Sequence, residues 1–175
     1  MSFRLIFVAF FCKMCADRTV IIRMTNIYIG FGSNRGGRKK NILKALALLE
    51  SNNLKILKIS SFYETAPYGF KNQKKFLNGV VKLKMGLPPG KLLGLCKKIE
   101  KEVGRVPSRR WGPREIDLDI IFYGKKIFKS RKLSIPHADL HNRKFVLISL
   151  KEIAPGFVHP ALKKTVSSIL RKLID

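Results

Sequence analysis

Acidic residues are scarce in this 175-residue chain: 11 Asp and Glu stand against 36 Lys and Arg, a formal net charge of +25. Cysteines are few and odd in number, three in all, and show no metal-ligand spacing. A disulfide scaffold is thereby excluded, and a reducing cytoplasm is the expected setting. No apolar run approaches the ~20 residues of a membrane span, so no membrane partner is expected. With 13 glycines and 8 prolines, the chain is neither collagen-like nor of low complexity. No G-x-x-x-x-G-K-[ST] loop is present, and Gly30-Phe31-Gly32-Ser33-Asn34 is too short to replace one. What is present is enough apolar material, 46% of residues, for one domain with a core of its own. The positive field attracts polyanions and says nothing about fold.

An apolar run from Leu5 to Cys12 follows Arg4, as in a signal peptide, but no A-x-A-like cleavage site comes after it. Residues 1–24 therefore read as an extension from an alternative or mis-assigned start, with a single domain over 25–175. Secretion and a membrane-surface anchor are the alternatives.

From Thr25 the patterning is regular. Thr25 to Phe31 alternates and reads as a strand, and Gly32 to Gly37 as a loop. Asn41 to Leu49 carries Ile42, Ala45, Leu46 and Leu49 at helical spacing. Leu54 to Tyr63 and Phe76 to Met85 read as an antiparallel pair. The stretch Glu64 to Lys75 between them is longer than a hairpin needs and is a candidate functional loop. Pro88-Pro89 opens a helix to about Val103. Gly104 to Pro113 is a basic loop, Ile116 to Tyr123 an apolar strand, and Arg143 to Ile153 and Val166 to Leu173 two more helices. The order βαββαβ predicts an α+β, ferredoxin-like fold: a mixed or antiparallel sheet with helices packed on it in three αβα layers.

Two features carry chemistry. Asp117 and Asp119 flank Leu118 in the apolar strand, so both carboxylates face one way, with Cα atoms about 6–7 Å apart. At an effective dielectric of about 20 they repel by roughly 2–3 kcal/mol. A hard divalent cation would offset this, since Mg²⁺ is commonly held by one or two carboxylates plus substrate phosphates. Solvent, or salt bridges to nearby arginines, would offset it too. The second feature is the density of arginine just before the pair: Arg105, Arg109, Arg110 and Arg114, with Trp111 among them. Guanidinium forks suit phosphate oxygens, so a nucleotide triphosphate site is one reading and a solvated charge run the other.

The run Arg110-Trp111-Gly112-Pro113-Arg114-Glu115-Ile116-Asp117-Leu118-Asp119-Ile120-Ile121 resembles the signature of the 6-hydroxymethyl-7,8-dihydropterin pyrophosphokinase family of folate biosynthesis. Ile29 to Asn34, Ser61 to Gly69, Phe76-Leu77-Asn78, Ile135-Pro136-His137, Asn142 to Leu147 and Glu152-Ile153-Ala154-Pro155 resemble further segments of that family, in order, over about Thr25 to Leu173. The resemblance implies transfer of the terminal pyrophosphate of ATP to the pterin hydroxymethyl group, with release of AMP. It implies Asp117 and Asp119 as ligands of two Mg²⁺ ions, and Arg105 and Arg114 as catalytic arginines on a mobile loop. Glu100, Arg110, Ile120, Leu133, Ser134, His137 and Arg143 are implied on the ATP side. Thr65, Pro67, Tyr68, Phe76, Asn78, Trp111 and Phe145 are implied on the pterin side, with Phe76 and Phe145 as the stacking pair. Arg110 and Trp111 would help close the site.

The chemistry of the residues agrees with those roles. Pyrophosphoryl transfer asks for positioning and charge neutralisation, not a nucleophilic Cys or Ser. A flat pterin suits aromatic faces and an amide that both donates and accepts. Phe76 and Phe145 also read as plain core residues, and His137 as a turn residue after Pro136. Three departures from the family pattern bear on loop movement and ATP affinity: a Gly104–Trp111 stretch about one residue short, Pro107-Ser108 where a basic residue is common, and Ala138 where a larger one is. A reading from another class is a small basic RNA-binding module without catalysis, favoured by charge. The lack of an RNP1-type aromatic run opposes it, as does a carboxylate pair that would repel phosphate unless metal-loaded. The expected partners are thus small molecules, with no specific nucleic acid, and the expected state is a monomer.

A chain beginning at Met24 is expected to be soluble and as active as the full chain, because the first strand starts after it. Expression and turnover of the shortened protein check this, and loss of folding would place Leu5 to Cys12 in the domain.

Overall fold

A computed structural model of the chain describes residues 24–109 and 111–174. The extension read as residues 1–24 thus lies, apart from Met24, outside the described residues, as does Arg110. In chain order the elements are β1 (Thr25–Ser33), α1 (Arg38–Ser51), β2 (Lys55–Ile59), β3 (Tyr63–Thr65), β4 (Phe76–Met85), α2 (Pro89–Val103), β5 (Asp117–Tyr123), β6 (Phe128–Lys129), β7 (Ser134–Ile135), a 3-10 turn at Leu140–Asn142, α3 (Lys144–Ile153) and α4 (Val166–Ile174).

The main sheet runs β2-β4-β1-β5, with β3 also on β4, and every pair is antiparallel. This is the ferredoxin-like arrangement with no parallel pair, so the mixed alternative drops out. Alternation along β1 divides the core. Ile27, Ile29 and Phe31 pack with Ile42, Leu46 and Leu49 of α1 and Leu92, Cys96 and Ile99 of α2. Tyr28, on the opposite face, joins Val146, Leu147 and Leu150 of α3 and Ile169 and Leu170 of α4. The layers are therefore αβα.

The sequence reading needs five adjustments. Gly32 and Ser33, expected in the loop after the first strand, extend β1 by pairing with Asn78 and Leu77. The strand expected over 54–63 is divided into β2 and β3. Between them Ser60 stays against β4: its amide donates to the Val80 carbonyl and its Oγ accepts the Val80 amide, both at 2.9 Å. Glu64 and Thr65, expected in the loop, extend β3 because they pair with Leu77 and Phe76. Helix α1 begins at Arg38, three residues early, since Arg38 to Lys40 add the polar first turn that apolar spacing cannot reveal. The β6–β7 hairpin was not foreseen, for two-residue strands leave no periodicity.

Two local devices position the cavity described below. Tyr28 pairs with Phe122 but Ile29 with Ile120, so Ile121 is an extra residue in β5. Ile121 and Phe122 then both turn toward α3 and α4, which packs the far half of the strand while Asp117 and Asp119 keep their alternation. Helix α2 starts with Pro89 in its first turn and ends at Gly104, φ 115°. There the Gly104 amide donates to Lys101 O and the Arg105 amide to Glu100 O, a Schellman turn that sends Arg105 back toward the sheet.

Gly79 of β4 lies under the Phe31 ring, which a Cβ at 79 would strike, and that Cβ would also lie 3.0 Å from Ser60 Oγ. Gly79→Ala is expected to destabilise the domain by about 1–3 kcal/mol through overpacking. Urea unfolding measures it, and an unchanged midpoint would show that Phe31 yields at no cost.

Candidate active site

The register of β1 builds the floor of a cavity. Gly32 pairs with Asn78 of β4 on one side and Asp117 of β5 on the other, while Gly30 pairs with Val80 and Asp119. A Cβ at Gly32 would collide with the Asn78 side-chain oxygen, and one at Gly30 would lie 3.3 Å from Ile121 Cδ1. The two glycines thus clear the sheet face between an amide and a pair of carboxylates. The cavity over them is walled by Thr65, Ala66 and Tyr68 of the long loop, Phe76, Trp111, Arg114, Arg143 and Phe145. Asn78 is nearly buried and donates from Nδ2 to Thr65 Oγ1 at 2.7 Å, which fixes which end of the amide meets the cavity.

The carboxylates are ringed by guanidinium groups. Asp117 accepts from Arg105 Nη1 at 2.7 Å and from Arg114 Nη1 at 2.8 Å. Asp119 accepts from Arg143 Nη1 at 3.1 Å. The salt-bridged reading of the pair is thus the arrangement seen. Burial by itself would raise the Asp117 carboxyl; the Arg114 and Arg105 charges outweigh burial and hold it below the usual carboxylate value. Glu100, 3% exposed, accepts the Leu118 amide at 2.9 Å and pairs with Lys97 at 2.8 Å and Arg105 at 2.6 Å. It ties the end of α2 to β5 and orients Arg105.

His137 stands 4.0 Å from Asp119 through Nε2. Burial holds its basicity below that of an ordinary imidazole, against the pull of Asp119. Nδ1 accepts the Asp139 amide at 3.2 Å, so the proton sits on Nε2, facing Asp119. The Asp139 carboxylate holds Arg143 Nε at 3.3 Å, and Tyr68 lies under that guanidinium at 6.0 Å.

Three loops close on one another beside the cavity. Asn34, nearly buried, accepts the Arg114 amide at 2.8 Å and donates to Gln73 Oε1 and Lys74 O. Gln73 donates to the carbonyls of Phe70 and Trp111. Trp111 has a positive φ of 60° and leans on Gly69, where a Cβ would lie 2.8 Å from the indole ring. Arg109 stacks 3.5 Å over Phe70. Of the stretch Glu64 to Lys75, Glu64 and Thr65 thus belong to β3, and the loop that follows gives Ala66 and Tyr68 to the cavity wall.

The structure brings together most of the expected residues: Thr65, Tyr68, Phe76, Asn78, Trp111, Arg114, Asp117, Asp119, Arg143 and Phe145 line one cavity. Glu100, Arg105 and His137 reach it through their bonds to or contacts with the two aspartates and β5. Ile120 is a correction: its side chain is buried in the core on the opposite face from Asp119, so only its main chain can meet a ligand. Leu133 packs against that same core, and the Ser134 hydroxyl donates to Pro136 O at 3.3 Å; neither lines the cavity, nor does Pro67. Phe76 and Phe145 are half-buried cavity walls, and Phe145 also packs against the core under α3 and α4. The sequence reading missed Asn34, Gln73 and Asp139 as organisers of the site. A G-S-N triplet at the end of a strand is the one signal that could have flagged Asn34.

The sequence model of the family 7,8-dihydro-6-hydroxymethylpterin-pyrophosphokinase (HPPK) matches residues 28–155. This chain belongs to the HPPK family. A 2-amino-4-hydroxy-6-hydroxymethyldihydropteridine pyrophosphokinase of Aquifex aeolicus is 47% identical over 141 residues, 81% of this chain and 88% of that protein. The protein of the same name from Haemophilus influenzae is 39% identical over 87% of this chain and 95% of its own length. The folic acid synthesis protein of Pneumocystis carinii is 44% identical over 85% of this chain, which spans 20% of that longer protein. In three dimensions the chain is similar to the crystal structure of Plasmodium falciparum HPPK-DHPS, with TM-score 0.66 and 18% identity over 86% of this chain and 45% of that one. That likeness speaks for the fold. HPPK membership leaves the RNA-binding reading without support.

Because the Asp117 carboxyl sits below its ordinary value of 3.8, its contribution to stability is fully present above that pH and is lost as pH falls through the lowered value. Asp117→Asn should therefore flatten the acid limb of stability against pH, read by thermal unfolding of both proteins. Parallel acid limbs would show that the arginines do not hold this carboxylate ionised.

Proposed function

We propose that this chain transfers the pyrophosphoryl group of ATP to the hydroxymethyl group of 6-hydroxymethyl-7,8-dihydropterin, releasing AMP. The observation that carries the reading is one cavity lined by an amide and two aromatic rings, Asn78 with Phe76 and Phe145, in which Asn78 lies two strands across from carboxylates ringed by Arg105, Arg114 and Arg143. In the transfer the hydroxymethyl oxygen bonds to the β-phosphorus of ATP, the bond from that phosphorus to the oxygen of the α-phosphate breaks, and the hydroxyl proton is released. The protein's task is to hold the reactants in line and meet their charge.

Among the described residues no group of three or more His, Cys, Asp or Glu side chains forms a metal cluster. Two hard carboxylates on one strand face are nonetheless the donor set Mg²⁺ accepts when substrate phosphates complete its shell. Asp117 and Asp119 would hold the cations, two in number on the family pattern. Bound there, Mg²⁺ supplies neutralisation of the polyphosphate charge. Arg105 and Arg114 turn their forks from Asp117 to phosphate oxygens. His137, as Nε2–H donor, and Arg143 contact the nucleotide phosphates, with Glu100 orienting Arg105. Arg110 and the Ile120 main chain belong to the ATP side in this reading, as do Leu133 and Ser134. Phe76 and Phe145 sandwich the pterin, Asn78 and Thr65 read its polar edge, and Pro67, Tyr68 and Trp111 cover it. No helix among the described residues is long and apolar enough to cross a membrane. A cytoplasmic monomer acting on small molecules is part of the proposal.

The test is whether AMP appears from ATP only when the hydroxymethyl pterin is added; AMP formation without it, or none with it, refutes the reading. Asp117→Ala or Asp119→Ala should leave less than about a tenth of the activity at saturating Mg²⁺, roughly 1.4 kcal/mol or more of barrier. Arg105→Ala and Arg114→Ala should slow transfer by two to three orders of magnitude, about 3–4 kcal/mol, with ATP affinity much less changed. Lysine at either position should rescue only partly. Quench-flow single turnovers and calorimetry separate the two effects. Weakened ATP affinity with an unchanged transfer rate would make these arginines ground-state anchors.

A further inference from the structure

Glu152 lies in the last turn of α3, remote from the reacting groups, yet its carboxylate gathers three donors from one short segment. The Ser61 amide donates at 2.9 Å to both of its oxygens, the Ser61 hydroxyl donates at 2.9 Å, and the Tyr63 phenol at 3.0 Å. In a chain with 36 Lys and Arg, this exposed acid forms no ion pair among the described residues. Neutral donors on the segment entering β3 occupy it instead.

What lies at the other ends of the two joined elements gives this a consequence. From Tyr63 the chain runs two residues along β3 to Thr65, whose hydroxyl accepts from Asn78. Thr65, Ala66 and Tyr68 then wall the cavity. From Glu152, α3 runs back seven residues, about 10 Å, to Phe145 in its first turn, which walls the same cavity. Helix α3 and β3 lie against each other. Two rods that both wall one pocket are thus tied at the end away from it.

We infer that Glu152 is a positioning residue for the pterin-side pocket: its carboxylate clamps the Ser61–Tyr63 segment to α3 and so sets the distance between Thr65 and Phe145. The inference rests on the functional reading above. It also gives the Glu152-Ile153-Ala154-Pro155 segment a task that the reaction itself does not. The carboxyl is held below its usual range, with the Ser61 and Tyr63 donors outweighing its partial burial, in keeping with an ionised acceptor.

The experiment uses the full chain. Glu152→Ala should raise the KM for the pterin about tenfold while kcat and the affinity for a non-hydrolysable ATP analogue change by less than about twofold. Glu152→Gln should recover part of this, because one amide oxygen still accepts but cannot serve all three donors. Tyr63→Phe should raise the pterin KM about threefold and add nothing on top of Glu152→Ala. In hydrogen exchange the amides of residues 61–67 should exchange faster in Glu152→Ala. An unmoved pterin KM, or pterin and ATP affinities falling together, would overturn the clamp. If Glu152→Ala does not fold, Tyr63→Phe carries the same test. Faster exchange in the variant beside a wild type that makes no AMP on pterin addition would fault the functional reading and support the clamp; unchanged exchange overturns the clamp whatever the reaction.

Discussion

The Asp117 carboxylate, shared between Arg105 and Arg114, is the interaction on which the cavity depends. It draws together three stretches that nothing local would join: the turn after α2, the basic loop and β5. Glu100 repeats the arrangement one step out, since it accepts the Leu118 amide and so fixes the level of β5 relative to the end of α2. Without the carboxylate at 117, Arg114 would lose its ion pair and Arg105 would keep only Glu100, in a site where water screens poorly. A half-buried pair of this kind is poor evidence for stability, but it is well suited to an exchange of partners. The guanidinium groups are already in place and already stripped of part of their water. Moving them from a carboxylate to phosphate oxygens costs little rearrangement, which is what a reaction based on charge placement requires.

How much of this was legible depends on the range over which each feature is encoded. The facing of Asp117 and Asp119 follows from the period of two along a strand. The glycine face of β1 was visible as a G-x-G, though its purpose appeared only with the register that sets Gly32 between Asn78 and Asp117. The core split was legible because Ile27, Ile29 and Phe31 alternate with Tyr28. Ile120, beside Asp119 in sequence, turns its side chain to the other face of the sheet, which leaves its main chain for the role assigned to it. The division into β2 and β3 turns on the hydrogen bonds of Ser60 with Val80, 20 residues away, which no local pattern encodes. Asn34 with Gln73, 39 residues apart, and Glu152 with Ser61, 91 apart, are tertiary pairs of the same kind. The resemblance to the HPPK family supplied the roles of residues whose types alone leave them ambiguous, Phe76, Phe145 and His137 above all.

The scarcity of acids acquires a physical meaning once their partners are known. Seven of the eleven, namely Glu64, Glu100, Glu115, Asp117, Asp119, Asp139 and Glu152, make side-chain hydrogen bonds or ion pairs at the cavity or at the loops and strands that frame it. Of these, Glu64 is a largely exposed partner of Arg38 and Lys75, while Glu100, Asp117, Asp119 and Asp139 hold arginines beside the cavity. Elsewhere among the described residues the exposed Glu50 and Glu102 are far outnumbered by lysine and arginine. A polyphosphate approaching such a surface is drawn in by a field that weakens with salt. At the cavity mouth it meets Arg114 and Arg143, still bound to carboxylates. On the function proposed above, the same imbalance acts twice: across the surface it favours encounter, and inside the cavity a few acids keep the arginines aligned for phosphate oxygens.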